Sequence, residues 1–410
     1  MKPWFSWLAL AMSVLGMGAC RSQTPPAPTP APPTLTLVAV GDILMHQDVK
    51  KAAAQDPDGF QDLWRDVVPL FKGADLAFAN LETPVAPTSG RPGVPFQFNA
   101  PEALPAALRA SGFTVLSTAN NHAFDQGQKG VRETVARLKA AGLVAIGSGD
   151  DQAQAEALQV LERQGIKVAF LGFTDLFNMD LNRKATEPWV RALDLEPAVQ
   201  AVRAARSQAD MVVVSIHWGN EYQHTPTKRQ RDIARALVDA GCDVILGSHP
   251  HVLQPVELLE AGGRKAVVAY SLGNFISNQD RMYRADLFPV AGGDDRDGAA
   301  LELRFVRRAG LDGVARVLLE RAEVEPLWTE NNWGQAASRR EIRVIRVQAA
   351  EAQVRGELDR LADPAEAAKV EPDSIRRRKL MLEKQEYLRT LILRRKRVAE
   401  VVGEDFIARP

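Results

Sequence analysis

Residues 35–42 read LTLVAVGD, an unbroken apolar run that ends in glycine and aspartate. Aliphatic and β-branched residues in so short a run predict a buried β-strand, and Gly41-Asp42 predicts a turn at its end. Because the run is apolar on both faces, the strand is expected in a sheet that is covered on both sides.

The same pattern recurs along the chain, with short apolar runs that predict strands and amphipathic stretches that predict helices. The predicted strands are residues 74–79, 114–117, 144–146, 168–171, 211–216, 244–246 and 266–270, and the predicted helices are residues 131–141, 196–205 and 228–240. Residues 158–168 predict a hairpin that turns at Gln164-Gly165, and residues 301–306 and 315–319 predict late edge strands. This alternation indicates an α/β fold with parallel or mixed sheets, expected over residues 35–330.

The N-terminus is predicted to be a targeting segment. Lys2, the apolar stretch 4–15 and the small residues before Cys20 resemble a bacterial lipoprotein signal. Residues 1–20 are therefore expected to be a signal peptide with lipid attached at Cys20, and an ordinary cleaved signal is the alternative. The Pro-rich residues 21–34 predict an extended linker. The expected location is extracytoplasmic, anchored by lipid to a bacterial cell membrane.

Residues 331–410 predict an amphipathic helical extension, because apolar residues recur every three or four positions. Pro364 and Pro372 interrupt the pattern, which indicates two helices in a hairpin. The basic residues 394–397 are expected to form a solvated face, with contact to a membrane surface as the alternative. The acidic stretch Asp294-Asp295-Arg296-Asp297 is likewise expected to form a solvated turn, with contact to a cation as the alternative.

Composition excludes several classes of protein. Lys plus Arg and Asp plus Glu are equal at 51 each, and basic residues are not interleaved with aromatic ones, so no nucleic-acid partner is expected. Cys20 and Cys242 are the only cysteines, which excludes a disulfide framework and a cysteine-rich zinc module. Cys242 opens an apolar run and is expected in the core.

All six histidines follow predicted strands or lie in the loops behind them, where α/β folds carry their ligand sites. Nitrogen and oxygen donors without thiolate suit Mn, Fe or Zn. A lone histidine is more often a hydrogen-bonded loop residue, and His224 is expected at the surface or rim. Candidate ligands occur in six clusters, each at or beyond an apolar run. They are Gly41-Asp42 with His46, Asn80-Leu81-Glu82, Asn120-Asn121-His122 with Asp125, His217 with Glu221 and Tyr222, His249-Pro250-His251, and Ser271-Leu272-Gly273-Asn274-Phe275. The last cluster has no strong ligand.

The order GD…NLE…NNHAFDQG…HWGNEY…GSHPHVLQP…SLGNF resembles the CapA family of capsule (poly-γ-glutamate) synthesis proteins, within the calcineurin-like metallophosphoesterase superfamily. The resemblance covers about residues 35–324. It implies a four-layer sandwich of two mixed β-sheets flanked by helices, with a site for divalent metal ions, up to two, at the strand ends. It also implies His122 as the catalytic imidazole. The metal ligands that it implies are Asp42, Glu82, Asn121, His217, His249 and His251.

Two departures from the superfamily pattern bear on the site. The superfamily opens with Asp-x-His, whereas Leu44 stands at the histidine position here and the next histidine is His46. Glu82 takes the place of the bridging aspartate. His46, Asp125 and Glu221 are therefore further candidates for the site.

Three functions follow as hypotheses. The first is a metal-dependent hydrolase that acts on a phosphoester or a polymer of the envelope. The second is a non-catalytic component of capsule assembly or export, which binds an anionic polymer and other capsule synthesis proteins. The third is a peptide or amide hydrolase that uses the same metal site. The loops 86–98 and 280–298 carry no motif that identifies the substrate.

Overall fold

Two mixed β-sheets form the centre of the computed structural model, which describes residues 32–284, 292–309, 313–334 and 340–409 together with Met1. The predicted signal peptide with Cys20, and the predicted linker up to residue 31, lie outside the described residues.

The described part of the chain contains sixteen strands, numbered in chain order. They are β1 (Thr34–Ile43), β2 (Leu76–Leu81), β3 (Val115–Ser117), β4 (Val144–Ile146), β5 (Ser148–Gly149), β6 (Gln159–Arg163), β7 (Ile166–Thr174), β8 (Trp189–Val190), β9 (Met211–His217), β10 (Val244–Ser248), β11 (Val256–Ala261), β12 (Arg264–Ala269), β13 (Asn274–Ile276), β14 (Asp297–Ala309), β15 (Ala315–Asn331) and β16 (Ile342–Arg346).

The α-helices of the described residues are numbered in the same way. They are α1 (Gln47–Ala53), α2 (Phe60–Leu63), α3 (Val68–Lys72), α4 (Ala103–Ser111), α5 (Gly127–Ala140), α6 (Gln152–Glu156), α7 (Leu195–Arg206), α8 (Lys228–Ala240), α9 (Val347–Ala362), α10 (Pro364–Val370) and α11 (Ser374–Val402). The predicted helix 228–240 agrees with α8 at both ends, where Thr227 and Gln230 form a capping box and Gly241 ends the helix in the left-handed conformation.

Each sheet contains parallel and antiparallel pairs. The first has the order β16-β15-β14-β1-β2-β3-β4, and β13 also pairs with β1 in parallel. The second has the order β11-β12-β10-β9-β7-β6. In the first sheet β1 to β4 run parallel, and β14, β15 and β16 pair antiparallel on the other side of β1. In the second sheet the four central strands run parallel, and the outer strands β11 and β6 pair antiparallel with their neighbours. The predicted hairpin at Gln164-Gly165 is confirmed as the β6–β7 turn.

Three apolar layers hold the sheets and helices together, and β1 shows why its sequence is apolar on both faces. Val38 and Val40 pack toward α1–α4, while Leu37 packs between the sheets with residues such as Phe170 of β7. On the far face of the second sheet, α7 and α8 cover β9. The order helices, sheet, sheet, helices confirms the predicted α/β sandwich.

One strand prediction and one turn prediction were wrong. Residues 301–306 are not an edge strand, because β14 lies between β1 and β15. The predicted edge position of residues 315–319 is confirmed, since among the described residues this part of β15 pairs with β14 alone and β16 covers only Leu327–Asn331. Gly41-Asp42 is not a turn. Both residues belong to β1, which continues because β13 provides a second partner beside Asp42.

The C-terminal segment packs on the sandwich. Its first element, β16, is a strand of the first sheet, and the helical part follows it. Helices α9 and α11 pack on each other through Val354 and Leu391, and the end of α11 enters the core between the sheets through Val398. The described residues from Pro33 onward form one compact unit. Among the residues that the structure describes, no helix has the length and apolar character needed to cross a membrane.

Candidate metal centre

The clusters of His, Asp, Glu and Asn residues lie together at the carboxyl ends of the parallel strands. Asp42 lies near the end of β1, Glu82 directly after β2, and Asn121 and His122 follow β3. From the second sheet, His217 is the last residue of β9, and His249 and His251 follow β10. Parallel strands bring their carboxyl ends to one edge, so residues more than 200 positions apart come into contact.

Two groups of metal-type ligands share one carboxylate. Glu82, His249 and His251 form one group, and Asp42, Glu82 and His217 form the other. Within each group the ligand atoms all lie within 4.8 Å of one another, and all five side chains are buried. A carboxylate common to two groups is the arrangement that a bridging ligand requires.

The buried polar atoms of the site fit divalent cations. Glu82 Oε1 and His249 Nδ1 are buried and have no hydrogen-bond partner among the described residues. Among the described residues, the side chains in polar contact with Asp42 and Glu82 are one amide and two imidazoles. None of these partners is a lysine or an arginine. Buried carboxylates without such compensation are costly, and cations would remove both the charge and the unpaired atoms.

The His249-Pro250-His251 turn is built from unusual backbone. His249 and His251 have φ angles of 97° and 58°, in the left-handed region that side chains rarely adopt. His251 Nδ1 lies 3.3 Å from Asp42 Oδ2 and 3.2 Å from Asn274 Oδ1. Burial lowers the pKa of His251, but the carboxylates of Glu82 and Asp42 outweigh burial and raise it to about 9. Burial and the charge of His251 lower the pKa of His249 to about 4.

Polar neighbours orient the remaining candidate ligands. His217 Nε2 lies 3.0 Å from Asn121 Oδ1, and its Nδ1 lies 3.0 Å from Ser248 Oγ. Burial, and to a lesser extent the charge of His249, hold the pKa of His217 well below its usual value. The structure thus places Asn121 beside the two groups, in contact with a member of one of them.

Asn80 and Asn274 contribute to the site in ways that the sequence did not predict. Asn80 Nδ2 donates to Asp42 Oδ1 at 2.8 Å and lies 3.4 Å from Glu82 Oε2. Asn274 lies directly opposite Asp42 in the β1–β13 pair. The sequence singled out the NLE and SLGNF clusters, but only Asn80 directly follows a predicted strand, so Asn274 carried no comparable signal.

His122 forms a dyad with Asp125. Its Nδ1 lies 2.8 Å from Asp125 Oδ2, and the same oxygen accepts from the backbone N–H of Phe98 at 2.6 Å. The ring of Phe98 packs on His122 with centroids 4.5 Å apart. Asn178, which the sequence did not single out, places Nδ2 3.4 Å from both ring nitrogens. His122 is therefore fixed by a carboxylate and packed against an aromatic ring.

One carboxylate of α5 makes several of the hydrogen bonds that attach the long loop 86–98. Glu133 accepts from the backbone N–H groups of Thr88 and Ser89 and from the guanidinium of Arg137. Burial alone would raise the pKa of Glu133, but these hydrogen bonds lower it to about 2. The ionised Glu133 thus holds the loop that carries Phe98 to His122.

The other candidates lie around these residues. His46 Nδ1 accepts from the backbone N–H of Asn278 at 3.3 Å, its ring packs edge-on against Phe98, and burial lowers its pKa to about 4. It belongs to neither ligand group. Glu221 is exposed, and its charge raises the pKa values of Glu82 and His251.

Two surface predictions were wrong, and for one physical reason. Asp294 is not in a solvated turn, because it accepts from His224, Arg394 and Arg397. The side chain of His224 is 27% exposed, so its predicted position at the rim is confirmed, and it pairs there with Asp294. Arg394 is 1% exposed, and Arg395 and Arg397 are partly buried in ion pairs. Of residues 394–397 only Lys396 is exposed, so the run does not form a solvated face. Charges far apart in sequence pair across the fold, and a local reading cannot detect that.

Comparison with known proteins places this chain among capsule synthesis proteins. A family model described as "Bacterial capsule synthesis protein PGA_cap" matches residues 36–279. The chain is 35% identical over 266 residues to "PGA biosynthesis protein CapA" of Bacillus subtilis (strain 168), covering 64% of this chain and 68% of that protein. It is also 35% identical over 253 residues to "Capsule biosynthesis protein CapA" of Bacillus anthracis, covering 60% of each.

Among solved structures, the chain is similar to a 5'-nucleotidase precursor from Thermus thermophilus, with a TM-score of 0.40 and 14% identity over 72% of this chain and 54% of that one. The region that the family model matches contains every residue of the two ligand groups and the His122–Asp125 dyad, whereas the turn at Asp294 and helix α11 lie beyond it.

Proposed function

Because this chain belongs to the bacterial capsule synthesis protein family PGA_cap, we propose that it is a metal-dependent hydrolase of capsule synthesis that acts on a phosphoester or polymer of the cell envelope. One observation carries the proposal. Two buried ligand groups share Glu82, and a glutamate oxygen and a histidine nitrogen within them lack any other partner among the described residues.

The five residues of the two groups would hold the cations, with Glu82 between them and Asn121 beside His217. Bound divalent cations would supply an activated water and would stabilise charge on the oxygens of the substrate. Asn80 orients both carboxylates through one amide group. Ser248 orients His217 through its Nδ1.

The His122–Asp125 dyad is suited to proton transfer. Asp125 contacts Nδ1 of His122 and so leaves Nε2 as the nitrogen that exchanges a proton with a leaving group. The Asp125 carboxylate would stabilise the imidazolium that forms. Phe98 covers the dyad and limits the access of water.

The test combines metal analysis of the purified full-length protein with turnover of bis(p-nitrophenyl) phosphate and of poly-γ-glutamate, with Mn²⁺ added. We expect bound Mn, Fe or Zn and hydrolysis of at least one substrate. Glu82→Gln and His249→Ala are expected to lose both properties. Glu325→Gln is the matched control, since Glu325 is also buried in the first sheet with an unpaired Oε1 but contacts Arg346 instead of the site.

Protein that binds no metal, and that is inert toward both substrates with Mn²⁺ present, would refute the proposal. Polymer that binds without being cleaved, and whose binding survives Glu82→Gln, would support a non-catalytic assembly component instead. Cleavage of poly-γ-glutamate without phosphodiester turnover would identify an amide hydrolase.

We also propose that the protein is held outside the cytoplasm by a lipid on Cys20. The support is the signal-like sequence of residues 1–20 and the Pro-rich residues that follow. The test is incorporation of labelled fatty acid, and membrane fractionation, in a bacterial host. Cys20→Ser is expected to abolish labelling, while Cys242→Ser, at the only other cysteine, is expected to retain it. Equal labelling of both variants would contradict the anchor.

A further inference from the structure

A buried arginine of the C-terminal helix joins the first sheet. Arg394 of α11 is 1% exposed. Its guanidinium donates to both carboxylate oxygens of Asp297, to Asp294 Oδ1 at 2.6 Å and to the carbonyl of Gly292 at 3.2 Å. Asp297, the first residue of β14, is buried as well. Breaking such a pair from one side leaves the other charge buried and uncompensated.

The acidic turn that Arg394 holds is in direct contact with β13. The carbonyl of Asp295 accepts from Asn274 Nδ2 at 2.9 Å. Gly298 forms a β-bridge with Gly273, and a Cβ atom on Gly298 would lie 2.4 Å from the carbonyl oxygen of Asn274. The backbone on either side of Asp297 is therefore packed against the backbone at Asn274 with no room to spare.

Asn274 in turn contacts His251 at two points. Its Oδ1 lies 3.2 Å from His251 Nδ1, and its Nδ2 donates to the backbone carbonyl of His251 at 3.2 Å. The backbone of His251 has a left-handed φ of 58°, which persists only where neighbouring groups hold it. Arg394 and His251 are thus connected by a continuous series of hydrogen bonds and backbone contacts.

We propose that Arg394 is a positioning residue for His251, so that the C-terminal helix completes the metal centre. The proposal rests on the metal site of the proposed function. It adds to that function a residue, and an element, that lie outside the region matched by the family model. Residues that orient the ligands of a metal affect affinity without touching the metal.

The experiment compares Arg394→Met with Arg395→Met in the full chain. Arg395 is the matched control, because it is the next residue of α11 and also forms an ion pair, with Glu351 of α9 and not with the acidic turn. Mn²⁺ affinity is measured by titration calorimetry and by electron paramagnetic resonance. We expect Arg394→Met to weaken Mn²⁺ binding about 10- to 100-fold and Arg395→Met to leave it unchanged.

A second comparison tests the route through Asn274. In an Asn274→Ala background, Arg394→Met is expected to weaken Mn²⁺ binding far less than it does in the wild type, because the connection is already broken. Equal weakening in the two backgrounds would overturn the proposal, as would equal effects of Arg394→Met and Arg395→Met. If Arg394→Met does not fold, as judged by circular dichroism, Arg394→Lys and Arg395→Lys replace the pair, with the same outcomes.

A readout independent of metal separates this proposal from the proposed function. The ring resonances of His251, observed by NMR without added metal, are expected to shift in Arg394→Met and not in Arg395→Met. If the wild-type protein binds no Mn²⁺, the proposed function fails, and these resonances still decide the positioning role. His251 resonances that are unchanged in Arg394→Met would overturn it.

Discussion

Gly41 permits the contact on which the candidate metal centre depends, and Gly41→Ala should remove that contact. A Cβ atom at this position would lie 1.8 Å from the carbonyl oxygen of Gly273. Real Cβ atoms do not approach an oxygen so closely, so β1 and β13 would have to separate. The same carbonyl accepts from the backbone N–H of Asp42 at 3.0 Å, beside the site.

The magnitude follows from what the separation disrupts. Forcing an extra methyl group into a packed core costs about 1–3 kcal/mol. Leaving the buried carbonyl of Gly273 without its donor costs about 1–3 kcal/mol more. We therefore expect Gly41→Ala to lower the free energy of unfolding by about 2–6 kcal/mol. The shift of Asp42 should also weaken metal binding.

The assay is urea unfolding followed by circular dichroism, with Gly356→Ala as control. Gly356 is exposed inside α9, and a Cβ atom there would meet nothing within 4 Å. Alanine should stabilise that helix by about 0.5–1 kcal/mol, so the same substitution is expected to have opposite signs at the two positions. Gly41→Ala with an unfolding free energy within about 1 kcal/mol of wild type would refute the reasoning, because that is below the least expected loss.

Three further predictions concern groups around the site. Asp125→Asn should lower phosphodiester turnover by about 100-fold or more while metal content is unchanged, because His122 loses its orienting carboxylate; unchanged turnover would count against the dyad. Glu133→Gln should cost about 1–3 kcal/mol in urea unfolding at pH 7. The stabilisation by Glu133 is fully present above the unfolded pKa of 4.5 and is lost as pH falls through about 2, so a difference between variant and wild type that stays constant from pH 7 to pH 3 would contradict the assignment. Cys242 should resist iodoacetamide until urea unfolds the protein, because burial raises the pKa of its thiol; mass spectrometry that finds native labelling would contradict this.

The fold class could be predicted because its signals are local. Strands buried on both faces are apolar throughout, and helices such as α8 carry their own capping residues. The position of β14 and of the C-terminal part of β15 inside the sheet could not be predicted in this way. It depends on β16, whose short sequence IRVIR precedes a long helical pattern, and on the pairing of β14 with β1, more than 250 residues away in the chain.

The candidate site was predictable to the extent that its residues follow strands. Asp42, Glu82 and His251 each stand at a strand end, and parallel strands bring those ends together. Asn80 could have been included on the same ground, because it directly follows a predicted strand. Asn274 was not predictable, because it meets His251 only through the pairing of β13 with β1. The role of Arg394 could not be predicted either, because a basic run in a helix does not indicate that one of its residues contacts a buried carboxylate.

The free energy of unfolding, measured with and without Mn²⁺, can also test whether Glu82 is a metal ligand. Burial, and the nearby charge of Asp42, raise the pKa of Glu82 well above its usual value, against the opposing charge of His251. With a chelator present, Glu82→Gln should therefore be at least as stable as wild type, because it removes a buried carboxyl whose ionised form is poorly compensated, while Asp42 remains as a partner of His251. Mn²⁺ at 100 times its Kd should stabilise wild type by about 2.7 kcal/mol and the variant by much less. Glu325→Gln should lose stability equally in both buffers, since Arg346 loses its ionic partner. A wild-type protein that gains nothing from Mn²⁺, together with a destabilised Glu82→Gln, would show that Glu82 is a structural carboxylate and not a metal ligand.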